Sequence, residues 1–81
     1  MTTIEEQIIS HISKELAPGH DIAADTDLSQ VLDSTAVMQV VVWIEEAFGF
    51  TAELAEINPD NFGSPARLAQ WVRRNVEGTA A

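Results

Sequence analysis

Val37, Val40, Val41, Ile44 and Phe48 recur at the spacing of one face of an α-helix, and that stripe constrains the fold more than any other feature of the sequence. A chain with one buried helical face needs other helices to cover it. Ile4, Ile8, Ile9, Ile12 and Leu16 repeat the pattern near the N-terminus, and Leu68, Trp71, Val72 and Val76 repeat it near the C-terminus. Val40-Val41-Val42 is β-branched and could suit a strand, but no second segment alternates in a way that would pair with it. The three stripes therefore predict an all-α antiparallel bundle of three main helices plus one short helix. With 81 residues there is room for a single core, so one domain over 1–81 is expected. Cysteine is absent, so neither a disulfide nor a thiolate–metal site can staple it.

Local signals set the helix ends. Thr3 with Glu6 forms a capping-box pattern for the first helix, which Ala17-Pro18-Gly19 ends. From Pro18 to Leu32 neither period holds. Ile22, Leu28, Val31 and Leu32 are expected to pin this loop, with a helical turn near Leu28 to Leu32. Asp33 is the expected N-cap of the second helix, Ser34 to Phe48, and Gly49 its stop. Asn58-Pro59 starts the short helix through Phe62, and Ser64-Pro65 starts the last one, with 77–81 expected to fray.

Charge excludes whole classes of partner. Thirteen acids against four basic residues give a net charge of −9, and no Lys or Arg stands between Lys14 and Arg67. Such a surface repels phosphate backbones, so nucleic acid is not expected as a partner. It attracts basic patches on proteins. The acidic N-terminus does not read as a signal peptide and no apolar run reaches the length of a membrane span, so a cytoplasmic monomer with no membrane association is expected.

Few residues offer chemistry. Asp25-Thr26-Asp27-Leu28-Ser29 mimics the opening of a calcium loop, but Gln30 takes the glycine position and Ala36 that of the closing glutamate, so no metal site is expected. His11 and His20 come with no nucleophile elbow around Ser34, which argues against a hydrolase. No enzymatic activity is expected. Ser34 itself falls at a helix start, where four backbone N–H groups lack partners and the dipole is positive, a place that suits a phosphate. By position alone, capping is the plainer role for an Asp-Ser pair, and an unmodified acidic adaptor bundle would account for the acidity and the helices.

The wider pattern points further. Asp27-Leu28, Leu32-Asp33-Ser34, Ile44-Glu45-Glu46-Ala47-Phe48 and Asn58-Pro59-Asp60-Asn61-Phe62-Gly63-Ser64-Pro65, with Leu68 and Val72, together resemble the acyl and peptidyl carrier protein family over nearly the whole chain. The resemblance implies a free-standing carrier with covalent 4′-phosphopantetheine on Ser34, beside Asp33, holding an acyl or aminoacyl group as a thioester. It implies a phosphopantetheinyl transferase, an acyl- or aminoacyl-loading enzyme, and acyltransferase, synthase or condensing enzymes as partners. Thr35 follows the serine where relatives usually have Leu or Met, and Met38, Gln39, Val42 and Trp43 make the second helix more apolar than in fatty-acid carriers. In this it is more similar to carriers of specialised polyketide, nonribosomal peptide or aminoacyl-transfer systems.

On a helical wheel Thr35, Gln39, Val42 and Glu46 point away from the core stripe, with Met38 and Trp43 on its flanks. This face is the expected docking surface, with Glu45 and Glu46 giving charge complementarity at its rim. The bundle predicts an all-helical circular dichroism spectrum, and the crowding of acids between Glu15 and Asp60 predicts a thermal midpoint that rises with added salt. A midpoint indifferent to salt in a melting series would show that self-repulsion is not limiting.

Overall fold

A computed structural model describes residues 3–80, with side-chain burial for 3–76. Four α-helices follow in order: α1 (Ile4–His11), α2 (Ser34–Phe48), α3 (Pro59–Phe62) and α4 (Pro65–Ala80). No strand occurs among the described residues, and none of these helices is long and apolar enough to cross a membrane. A frayed tail was expected over 77–81, but the helical backbone runs through Ala80, and Ala81 lies outside the described residues.

Each helix begins where its sequence supplies a cap. Thr3 Oγ1 accepts from Glu6 N at 3.1 Å, and the Thr3 hydroxyl lies 3.3 Å from Glu6 Oε1. The Glu6 carboxylate thus answers the Thr3 side chain. Asn58 accepts from Asn61 N to start α3, where Pro59 needs no donor of its own. Gly49 ends α2 at φ 76°, a left-handed conformation that glycine adopts without a Cβ clash.

The apolar stripes meet in one core. Ile8 from α1 and Ile12 just beyond it, Val40, Val41 and Ile44 from α2, Phe62 from α3, and Leu68, Ala69, Trp71 and Val72 from α4 are all buried. Each large side chain fully withdrawn from water contributes about 1.5–3 kcal/mol before ordering costs are counted. Ile4, Leu16, Val37, Phe48 and Val76 join from the predicted stripes as partly buried neighbours, whereas Ile9, expected in the first stripe, is half-buried and stands outside this cluster. Trp71 is 1% exposed and packs against Phe50 and Phe62, with ring centroids 5.4 and 4.9 Å away.

The long loop between α1 and α2 is part of this core. Leu28 and Leu32 are buried at and just after a 3-10 turn, Leu28–Gln30, and Ile22 and Val31 pack alongside. Backbone bonds from Leu28 N to Gly63 O and from Ala66 N to Ala24 O, both 2.9 Å, tie the loop to the start of α4. Gly63 itself sits tight against the end of α3, where a Cβ would come within 2.5 Å of the Pro59 carbonyl.

Two features depart from a plain helical pattern. After His11 the first helix widens into a π-turn, Ile12–Leu16, closed by Ala17 N to Ile12 O at 2.8 Å. A second 3-10 turn, Leu54–Glu56, lies between α2 and α3. At the end of α1 the His11 ring stacks on Trp43, with centroids 4.2 Å apart and planes 6° from parallel. Burial lowers the His11 pKa from its ordinary 6.5, and the Glu15 carboxylate opposes this only in part. The unfolded chain therefore binds more protons once pH falls below 6.5, so this contribution to stability is present above 6.5 and lost as pH drops through the folded value. His11→Gln is expected to flatten that part of the stability–pH curve in urea titrations; an unchanged slope would remove His11 as its source.

Candidate functional site

The site is built on the start of α2. Asp33 is the N-cap, with extended backbone, and its Oδ1 accepts from Ala36 N at 2.8 Å. Its carbonyl accepts from Val37 N at 3.0 Å, the first bond of the helix. Capping is thus carried out by Asp33. Ser34, the first residue of the helix, is exposed, and its hydroxyl takes part in no hydrogen bond among the described residues. The sequence allowed Ser34 to be either cap or reactive group. The geometry leaves its Oγ free, next to N–H groups that the first turn cannot satisfy.

Beside Ser34 lies a largely apolar cleft of about 370 Å³. Leu28 and Leu32 of the loop, Val37 of α2, and Ile57, Pro59 and Phe62 form its walls, with Asp27, Ser29, Asp33 and Asn58 among its polar residues. Asp27, the residue that mimicked a calcium ligand, caps the 3-10 turn, accepting from Ser29 N at 3.0 Å and from Ser29 Oγ at 2.6 Å. Neither His11 nor His20 lines this cleft. Among the described residues no group of three or more His, Asp or Glu side chains could hold a metal ion.

A shallow, mostly apolar groove runs from the other side of Ser34 along Thr35, Met38, Gln39 and Val42. Met38 and Val42 remain 48% and 50% exposed, and Glu46 is exposed as well. Two residues assigned to this face are turned elsewhere. Trp43 is half-buried between the His11 ring and the edge of Phe48, whose centroid is 5.8 Å away. Glu45 is half-buried, and its Oε2 accepts from Ala52 N at 2.8 Å, closing the turn that leaves α2. A helical wheel gives the angle of a side chain but not the neighbours waiting there, so both looked available.

The cleft walls were not singled out from the sequence as a site. Asn58-Pro59 was legible as a helix start, and Ile57 and Phe62 as apolar, but nothing in their spacing joins them to Ser34. Glu56 was also passed over, although its Oε2 accepts from Trp71 Nε1 at 3.1 Å.

Comparison with known proteins agrees with this geometry. The profile of the family described as "Phosphopantetheine attachment site" matches residues 6–72, a stretch that includes both α2 and the cleft. A D-alanyl carrier protein of Abiotrophia defectiva is 29% identical over 77 residues, spanning 90% of this chain and 96% of its own. One from Lactobacillus delbrueckii subsp. bulgaricus is 27% identical over 75 residues, covering 88% and 91% respectively. No solved structure matches the chain. A helical bundle with a free serine at the head of its second long helix, matched over most of its length, belongs to the phosphopantetheine attachment-site family: it is a carrier protein that bears covalent 4′-phosphopantetheine.

Proposed function

We propose that Ser34 Oγ is the attachment point and that the chain carries a small aminoacyl group between partner enzymes. The observation that carries this reading is the division of roles at the helix start, where Asp33 caps and the Ser34 hydroxyl stays exposed and unbonded. The residues present suit the group. A phosphodiester on Ser34 would sit against the positive end of α2, at an exposed position. When bound, 4′-phosphopantetheine supplies a terminal thiol that holds a cargo as a thioester. The chain contributes placement, while catalysis belongs to the enzymes that visit it.

Both relatives are named as D-alanyl carriers, which supports an aminoacyl cargo, D-alanine first among those to try. Nothing comparable supports a polyketide or nonribosomal peptide pathway. The partners are then a phosphopantetheinyl transferase, an aminoacyl-loading enzyme and an enzyme that accepts the cargo. The docking face is the outward side of α2, Thr35, Met38, Gln39 and Val42 with Glu46 at its rim. Glu45 and Trp43 serve the fold instead. Half-exposed Met and Val suit an interface made and broken repeatedly, and Glu46 adds steering toward basic surfaces.

Incubation with coenzyme A and a broad-specificity phosphopantetheinyl transferase is expected to add one phosphopantetheinyl group by intact mass. Ser34→Ala abolishes the addition and changes stability by no more than about 0.5 kcal/mol. Asp33→Ala costs about 1 kcal/mol because the cap is lost. A loaded Ser34→Ala variant would place the attachment elsewhere.

For docking, Val42→Asp is expected to slow loading with the aminoacyl-loading enzyme at every ionic strength, whereas Glu46→Lys slows it chiefly at low salt. Unchanged kinetics for folded, phosphopantetheinylated Val42→Asp would move the docking face off α2.

A further inference from the structure

Glu56 does not line the cleft beside Ser34, yet it ties one wall of that cleft to the core. Its carboxylate Oε2 accepts from the indole Nε1 of Trp71 at 3.1 Å. Its backbone carbonyl accepts from Asn58 N at 3.0 Å and from Asn61 Nδ2 at 2.8 Å. Ile57, Asn58, Pro59 and Phe62, the residues that follow it, form that wall. Trp71 is 1% exposed and in ring contact with Phe50 and Phe62, so it is a fixed point to which Glu56 can be anchored.

The wall needs such an anchor. α3 is four residues long, a single turn that cannot hold its own position, because helix nucleation is unfavourable without tertiary support. The 3-10 turn before it has no side-chain cap, and Leu54 within it is 79% exposed. What fixes the segment is Phe62 in the core with Ile57 packed beside it, an exposed Asp60–Arg67 ion pair, and a polar clasp to α4 made by Glu56 on Trp71 and by Asn61 Oδ1 accepting from Arg74 Nη2 at 3.0 Å.

We propose that Glu56 is a positioning residue for modification at Ser34: its bond to the Trp71 indole holds the Ile57–Phe62 wall where a visiting enzyme meets it beside the serine. The proposal rests on Ser34 being the attachment point. Removing the acceptor leaves a buried indole N–H without a partner, which favours local opening of the segment by about tenfold. Only the closed fraction is ready for the enzyme, so the apparent affinity falls as that fraction: an opening constant raised tenfold, from about 0.1 to about 1, roughly halves it, while the chemical step does not change.

The test combines transferase kinetics with native-state hydrogen exchange on wild type, Glu56→Ala, Glu56→Gln and Trp71→Phe. Glu56→Ala is expected to raise KM for the carrier about twofold with kcat unchanged, and to speed exchange of the Ile57 and Phe62 amides about fivefold. Exchange at Val40 and Leu68 stays as in wild type. Glu56→Gln, whose amide oxygen still accepts from the indole, restores both values. Trp71→Phe lacks the donor and reproduces the faster exchange at Ile57 and Phe62. Glu56→Gln as impaired as Glu56→Ala would assign the effect to lost rim charge and overturn the proposal, as would unchanged exchange in Glu56→Ala or a parallel fall in kcat. Failure of the Ser34 reading is separate: it shows as an unmodified wild type or a modified Ser34→Ala, and the exchange comparison still decides whether Glu56 holds the wall.

Discussion

The burial of Trp71 is the contact around which this small domain closes. Its ring meets Phe50 from the segment after α2 and Phe62 from α3, while its indole nitrogen reaches Glu56. One side chain on α4 therefore gathers everything between the second and last helices. α1 packs on α4, with Ile8 and, just beyond the helix, Ile12 buried in the same core as Val40, Val41 and Ile44. A chain of 81 residues without disulfides has little apolar area to spare, and concentrating it on one helix is what makes a single core sufficient.

That arrangement leaves the head of α2 free of structural duty. In many helices the residue that satisfies the first turn is also the one with the interesting hydroxyl. Here Asp33 accepts from Ala36 N, and Ser34 is left unbonded at the surface. The cap rests on Asp33, so the attachment proposed at Ser34 would add a large group without unfastening the start of the helix. The cleft on one side and the Met38–Val42 groove on the other give Ser34 two different apolar surroundings within one helical turn.

Much of this was legible before any coordinates. The bounds of α2 follow from Asp33 and Gly49, because a cap and a left-handed stop are properties of single residues. The buried faces follow from periodicity, with Val40, Val41 and Ile44 as its clearest instance. The π-turn over Ile12–Leu16 was not legible, since it moves a backbone hydrogen bond and not a side-chain pattern. The half-burial of Trp43 and Glu45 was not legible because it depends on contacts outside α2, with the His11 ring and with the Ala52 N–H. The cleft was invisible for the same reason, being assembled from the loop before α2 and from α3 after it.

The packing of α1 on α4 also bears on the order in which the chain can become compact. These are the first and last helices, so the contact that completes the core closes a loop containing almost everything else. During synthesis α1 and α2 leave the ribosome before α4 exists, and the apolar run Val40-Val41-Val42-Trp43-Ile44 is not fully covered until α4 emerges. The acidic pair that follows, Glu45-Glu46, then has a second use as a gatekeeper, keeping that apolar run from associating with others like it. The surplus of negative charge serves the nascent chain as well as the finished one.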